Sequence, residues 1–272
     1  MPFPVLIDGR PGDGVPAGDR GLAYGDGVFR TLRIRNGVPL FWTRHYDRLH
    51  RDAAALGIAA PPEHLLRADI AGLAHGFADA SVKIIITRGD GERGYAPGAE
   101  TIPRRVVSVH SLPSVPAPGT VCLRFCTITL SDQPRLAGIK HLNRLENVLA
   151  RAEWQDPKIF EGLMCNSDGH VIEGTRCNLF IVEEGRVVTP LLDRCGVAGI
   201  TRDWVIEQFA NEHPDSAVED IITRQRLQKA GAVFLTNSLL GIIPVDRLGE
   251  TRWQTPHPLV TDLQNCWQAA CA

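Results

Sequence analysis

Between residues 111 and 119 the chain reads SLPSVPAPG, three prolines and one glycine in nine residues, and this break does most to limit what the chain can fold into. Proline fixes φ and lacks an N–H, so such a run is excluded from a helix interior or a central strand. It splits 272 residues into two stretches, each long enough for a core of its own. The reading is a small N-terminal α+β domain over 1–110, an interdomain linker over 111–119 and a larger C-terminal α/β domain over 120–272. A turn-rich surface loop within one domain is the alternative.

Hydrophobic periodicity supplies the elements. In the first stretch, residues 4–8 and 27–34 read as strands, and Asn36-Gly37 signals a hairpin into 38–41. Thr43 can cap a helix running to Leu56, with Leu49, Ala53 and Leu56 as its stripe and Gly57 as its stop. Pro61 and Pro62 open a second helix carrying Leu65, Leu66, Ile70 and Leu73. Residues 82–87 and 105–110 are short apolar strands. Beyond the break, 121–130 is a strand, and a helix follows on which Leu142, Leu145, Leu149 and Ala152 share a face. Further strands fall at 171–172, 178–182, 187–189, 218–222, 233–236 and 241–245, with helices over 200–209 and after the capping Thr223. Strands and helices are mixed without a regular βαβ rhythm, so a mixed α+β or irregular α/β arrangement is expected rather than a barrel or a doubly wound sheet.

Composition removes several classes of function. A net charge of −2 provides no basic field, so nucleic acid is not expected as a partner. No stretch approaches a membrane span. The start, MPFPVLIDGRPGDG, has no basic region followed by an apolar run, so a cytoplasmic protein without a signal peptide is expected. Seven cysteines lack CxxC pairing and nine histidines form no HExxH, so no metal is expected. Cys122 and Cys126, four apart in a strand, read as buried thiols. Neither GxGxxG in a usable context nor GxSxG occurs.

Two motifs carry chemistry. GIKHLNRLENVLARAEW, residues 138–154, sets Lys140 just before the amphipathic helix. Thirty-three residues later Glu173 stands in VIEGTRCNLF. A lysine with a distant carboxylate is what pyridoxal phosphate chemistry requires, one for the covalent bond and proton movement, the other to keep the pyridine nitrogen protonated. A lysine ahead of a helix is otherwise usually a solvated residue. GVAGITR, residues 196–202, puts glycines before a helix, where the backbone N–H groups and the Thr201 hydroxyl suit a phosphate. LTNSLLG, residues 235–241, places Thr236, Asn237 and Ser238 between apolar segments, and HYDRL puts Arg48 on a helix. Singly, Thr201 is as well read as a helix cap and Arg48 as a surface residue. DRGLAYGDGVFRT, residues 19–31, and TRGDGERGY, residues 87–95, are glycine-rich loops around Tyr24, Arg93 and Tyr95 that suit a carboxylate-bearing substrate or simple exposed turns.

These motifs together resemble the fold-type IV pyridoxal phosphate enzymes, the group of D-amino-acid and branched-chain aminotransferases and aminodeoxychorismate lyases. The resemblance runs from Ile7-Asp8-Gly9 to Ile243-Pro244-Val245. Within the group the likeness is to the lyases, carried by KHLNRLENV and the RGxGxRGY loop. It implies a two-domain, D-amino-acid aminotransferase-like fold, pyridoxal 5′-phosphate as cofactor, a homodimer and a small-molecule substrate, 4-amino-4-deoxychorismate. That substrate would be converted to 4-aminobenzoate and pyruvate in folate biosynthesis by a carbon–oxygen lyase. A D-amino-acid or branched-chain aminotransferase, or a non-catalytic cofactor-binding protein, are the alternatives. Lys140 matches the Schiff-base lysine, Glu173 the carboxylate facing the pyridine nitrogen, and Arg48 the phosphate arginine of the HxxRL pattern. Gly199, Ile200 and Thr201 match one phosphate loop and Asn237-Ser238 the second. Tyr24, Arg30, Arg93 and Tyr95 fall on the substrate side. Where the aminotransferases commonly carry Glu after GDGVF, this chain has Arg30, which is expected to face a partner subunit or a carboxylate.

Overall fold

The structure is a computed structural model that describes residues 4–12, 14–98, 101–112, 119–212 and 217–272. The chain forms two compact units, Met1–Ser114 with Lys140–Asn143, and Val115–Ile139 with Arg144–Ala272. Residues 113–118, most of the expected linker, lie outside the described residues. The four residues Lys140–Asn143 group with the first unit because they extend its sheet edge. The Phe29 N–H donates to the Lys140 carbonyl (2.9 Å), the Leu142 N–H donates to that of Gly27 (2.9 Å), and Val28 pairs with His141.

In the first unit β1 (Val5–Ile7), β2 (Arg10–Pro11), α1 (Arg20–Tyr24), β3 (Gly27–Arg35), β4 (Val38–Pro39), α2 (Trp42–Ala55), α3 (Glu63–Ala74), β5 (Asp79–Thr87) and β6 (Arg104–Ser111) follow in order. The strands make one antiparallel sheet, β2-β1-β6-β5-β3-β4. The β3–β4 hairpin turns through Asn36 (φ 50°) and Gly37 (φ 77°), both left-handed as a two-residue I′ turn demands. Alternation along β3 sends Val28, Arg30, Leu32 and Ile34 to its buried face. Helix α2 packs on that strand through Trp42, His45, Leu49, Asp52 and Ala53, a stripe at helical spacing. The helix starts at Trp42 after Phe41 in left-handed conformation and has no side-chain cap, which corrects the expectation for Thr43.

The second unit contains β7 (Val121–Thr129), α4 (Leu145–Ala152), β8 (Ile159–Cys165), β9 (Val171–Gly174), β10 (Asn178–Glu183), β11 (Arg186–Pro190), α5 (Ile200–Glu212), β12 (Ala217–Asp220), α6 (Arg224–Lys229), β13 (Ala232–Asn237), β14 (Gly241–Leu248), β15 (Thr251–Arg252) and α7 (Pro258–Ala270). The path β10-β13-β14-β7-β8-β9 returns to β10 through the pair Asn178 and Glu173, so these strands close on themselves. The expectation of an arrangement without a barrel is thereby corrected, since the ring depends on β7 pairing in parallel with β14, far along the chain, and strand periodicity gives no hint of that partner. Closure leaves no unpaired edge along the ring and surrounds a core of Leu123, Leu163, Leu179, Ile181, Leu235, Ile243 and Val245. Outside it, Phe180 and Phe234 stack (4.9 Å between centroids) and Trp204 of α5 meets Trp267 of α7 edge-on (5.0 Å).

Helix α4 departs from expectation. It begins at Leu145, so Leu142 lies outside it, and Leu145, Val148 and Leu149 are exposed. The side turned toward β7 and β8 is small, with Ala150 packed among Cys126, Trp154 and Met164. No helix among the described residues is long and apolar enough to cross a membrane.

Candidate active site

Lys140 sits in neither helix nor strand, between the bridge Gly138 makes to Val197 and the one His141 makes to Val28. Both of its backbone groups are taken by distant segments: the carbonyl by Phe29, and the N–H by Asp52 Oδ2 at 3.0 Å. Its ammonium lies 4.7 Å from the Phe29 ring centroid, a cation–π distance that orients the side chain. Asp52 and Arg30 form a buried ion pair, each side chain 3% exposed. The carboxylate that Arg30 meets therefore belongs to its own chain. Arg48, half-buried, stands on α2 one turn before Asp52 and one turn after His45, so the three share a side of the helix.

His45 is buried, and its pKa is pushed down to about 3, first by burial and then by the charges of Arg30 and Lys140. Since the folded pKa lies below the ordinary 6.5, the unfolded chain takes the proton first as pH falls. Stability is then undiminished above about pH 6.5 and declines toward pH 3. Between pH 7 and pH 5 this site is expected to cost about 2 kcal/mol. Denaturant unfolding of a His45→Leu variant should show a shallower loss over that range; equal slopes would contradict the assignment.

In the second unit Glu173 is buried on β9, and its Oε2 accepts the Val197 N–H at 2.8 Å. Asn178 organises what surrounds it. Across the sheet it pairs with Glu173 on one side and with Thr236 on the other. Its Nδ2 donates to the Val197 carbonyl at 2.6 Å, bracing the loop before α5. A Cβ at Gly199 would lie 2.2 Å from Asn178 Oδ1, so only glycine lets the loop approach this closely. The first i to i−4 bond of α5 runs from Asp203 N–H to the Gly199 carbonyl, leaving the amides of Ile200 and Thr201 at the positive end of the helix. The hydroxyls of Thr201 and Thr236, each residue 1% exposed, are buried and find no hydrogen-bond partner among the described residues. A buried hydroxyl without a partner costs stability unless a ligand completes it. Two such hydroxyls, both beside Asn178's contacts and one at a helix N-terminus, fit a phosphate monoester.

The remaining expected residues have contacts of their own. Asn237 is turned into its own chain: Oδ1 accepts from Leu239 (3.0 Å) and Leu240 (2.8 Å), and Nδ2 donates to Cys177 Sγ. Ser238 is half-buried. Tyr95 is 86% exposed, and Arg93 is exposed in the same loop. That loop is docked on α1. Tyr24 and Tyr95 rings stand 5.4 Å apart, the Gly94 N–H donates to Tyr24 Oη, and Arg20 donates to the carbonyls of Gly94 (2.9 Å) and Tyr95 (2.8 Å). Arg20 and Arg88 share Asp26; burial pushes that carboxyl up, but the hydrogen bonds of Arg88 and Arg20 outweigh it and hold it below the usual carboxylate range. Burial pushes the thiols of Cys126 and Cys195 up to about 12, which keeps these two protonated at neutral pH. Cys126 is buried as expected, whereas Cys122 is only half-buried.

Asp52 and Asn178 are thus absent from the residues singled out from sequence, whereas Thr236 stood in one of the candidate anion-binding segments without a matched contact. For Asp52 a signal existed. Alternation along β3 puts Arg30 on the core face, and a core-facing arginine requires a carboxylate partner.

The family model described as amino-transferase class IV matches residues 27–248. An aminodeoxychorismate lyase of Vibrio harveyi is 35% identical over 256 residues, 93% of this chain and 94% of that protein. A D-alanine aminotransferase of Bacillus licheniformis is 30% identical, covering 97% and 95%. Among solved structures, 4-amino-4-deoxychorismate lyase from Pseudomonas aeruginosa superposes with a TM-score of 0.91 at 41% identity, covering 97% of this chain and 98% of that one. The chain belongs to the class IV aminotransferase family.

Proposed function

We propose that this chain is a pyridoxal 5′-phosphate-dependent aminodeoxychorismate lyase that converts 4-amino-4-deoxychorismate to 4-aminobenzoate and pyruvate. The observation that carries the cofactor is the pair of unpartnered hydroxyls at Thr201 and Thr236: Thr236 pairs beside Asn178, as Glu173 does, and Thr201 follows the loop that Asn178 braces. Likeness to lyases at 35% and 41% identity supports the reaction, as does Arg30 in place of the Glu common in the aminotransferases.

Thr201, Thr236, the amides of Ile200 and Thr201, and Arg48 would hold the phosphate; Glu173 would accept from the pyridine N–H. The cofactor, once bonded through its aldehyde, supplies an electron sink. Lys140 takes the proton from ring carbon 4 of the substrate and delivers one to the methylene of the departing enolpyruvyl group. The ring carbon–oxygen bond breaks, the methylene becomes the methyl of pyruvate, and the ring becomes aromatic. Glu173, kept in place by the Val197 N–H, favours the protonated pyridine nitrogen throughout. Tyr24, Arg93 and Tyr95 are proposed on the substrate side. We place the enzyme in the cytoplasm as a homodimer, in line with the resemblance, with neither nucleic acid nor membrane as a partner.

Aminotransferase relatives make transamination the second reading. Purified protein loaded with cofactor should release 4-aminobenzoate at a rate unaffected by 2-oxoglutarate, and should not convert D-alanine. Turnover that appears only with an amino acid and a keto acid together would favour the second reading.

The hydroxyls have a signature of their own. Thr201→Val or Thr236→Val keeps the shape and removes a polar group without a protein partner. Cofactor affinity should fall about tenfold for each, while the melting temperature of the cofactor-free protein stays level or rises. A lowered melting temperature would mean that the hydroxyl serves the fold instead.

A further inference from the structure

We propose that Asp52 is a positioning residue that clamps the backbone of Lys140 to α2, with Arg30 as the counter-charge that lets a carboxylate serve there. The importance given to Lys140 rests on the functional reading above; the clamp itself is a matter of geometry. Lys140 lies in irregular backbone, so no helix or sheet ladder fixes its N–H. That N–H instead meets Asp52 Oδ2 at 3.0 Å, and the same oxygen accepts from Arg30. A charged acceptor makes a shorter, stronger bond to an amide than a neutral one. A buried ion pair is poor value for stability alone, since apolar side chains of similar volume often do as well or better. An arginine on the core face of β3 and an aspartate on the buried stripe of α2 therefore point to a purpose other than bulk stability. The purpose the geometry supports is to fix the lysine relative to the helix that carries Arg48. Phe29, one residue before Arg30, takes the Lys140 carbonyl, so β3 and α2 together hold both backbone groups.

The test is an Arg30→Met/Asp52→Leu variant, which removes both charges and leaves apolar side chains in their place. Its melting temperature and the amide exchange of Val107, in the centre of the sheet, report whether the fold is kept. The Lys140 amide should exchange about a hundredfold faster than in the parent. The kcat should fall about tenfold to a hundredfold with KM nearly unchanged, because a misplaced amine slows the proton transfer and leaves binding intact. An unchanged Lys140 amide, or a kcat within twofold of the parent, overturns the proposal. If the double variant does not fold, Asp52→Asn decides. It retains an oxygen acceptor but not the charge, and should raise Lys140 exchange about tenfold with a smaller loss in kcat. Unchanged exchange in Asp52→Asn overturns the clamp. Amide exchange is read whatever the protein catalyses, so silence of the parent in the lyase assay would defeat the functional reading and leave the clamp to be judged by exchange.

Discussion

Lys140→Ala is expected to abolish release of 4-aminobenzoate, lowering kcat by more than about a thousandfold. It removes both the amine that bonds the cofactor and the base that moves the proton. The structure separates this loss from misfolding. What holds residue 140 in place is its backbone, the N–H on Asp52 and the carbonyl on Phe29, and alanine retains both. The ammonium contact over the Phe29 ring is lost with the side chain, a contribution of about 1 kcal/mol or less at a half-exposed site. The melting temperature should therefore change little. The cofactor should still bind through its phosphate contacts, without the absorption that a lysine-bonded cofactor shows. Near-normal turnover by this variant would remove Lys140 from the mechanism.

Glu173→Gln is expected to lower kcat by about a hundredfold, with cofactor affinity changed much less. The amide keeps an oxygen for the Val197 N–H, so the loop before α5 stays in place. What is lost is the charge that favours a protonated pyridine nitrogen. Glu173→Ala combines that loss with an orphaned Val197 amide, which costs about 1–3 kcal/mol in a buried setting, and should lower both kcat and stability. Steady-state kinetics beside cofactor titration separates the two variants. If Gln behaves like the parent, the carboxylate charge has no part in catalysis.

How far the sequence reached differs between residues for physical reasons. Lys140 and Glu173 are proposed from short motifs, where residue type and local spacing carry the chemistry. The Asn36-Gly37 hairpin and the Thr223 cap were legible because turn and cap geometry is local. The barrel was not, because its ring depends on β7 lying parallel to β14, a pairing between segments far apart in sequence that leaves no periodic signature. Strand β8 escaped because Glu161 and Gly162 interrupt its apolar run; Glu161 is buried there and accepts the amides of Gly162 and Thr175. Helix α4 misled for the opposite reason. Its apolar stripe is real but exposed, and the packed side is the small one. Asn237, the last residue of β13, accepts the amides of the turn that follows, a local role that a polar residue at a strand end fills whether or not a ligand is near.

The most direct test of the central claim follows both products at once. Purified protein loaded with pyridoxal phosphate would be given 4-amino-4-deoxychorismate, without any keto acid, and 4-aminobenzoate and pyruvate would be measured in the same sample. Equal amounts of the two, formed catalytically and absent in Lys140→Ala, are the predicted result. No 4-aminobenzoate from fully loaded protein, or 4-aminobenzoate without matching pyruvate, would contradict the lyase assignment.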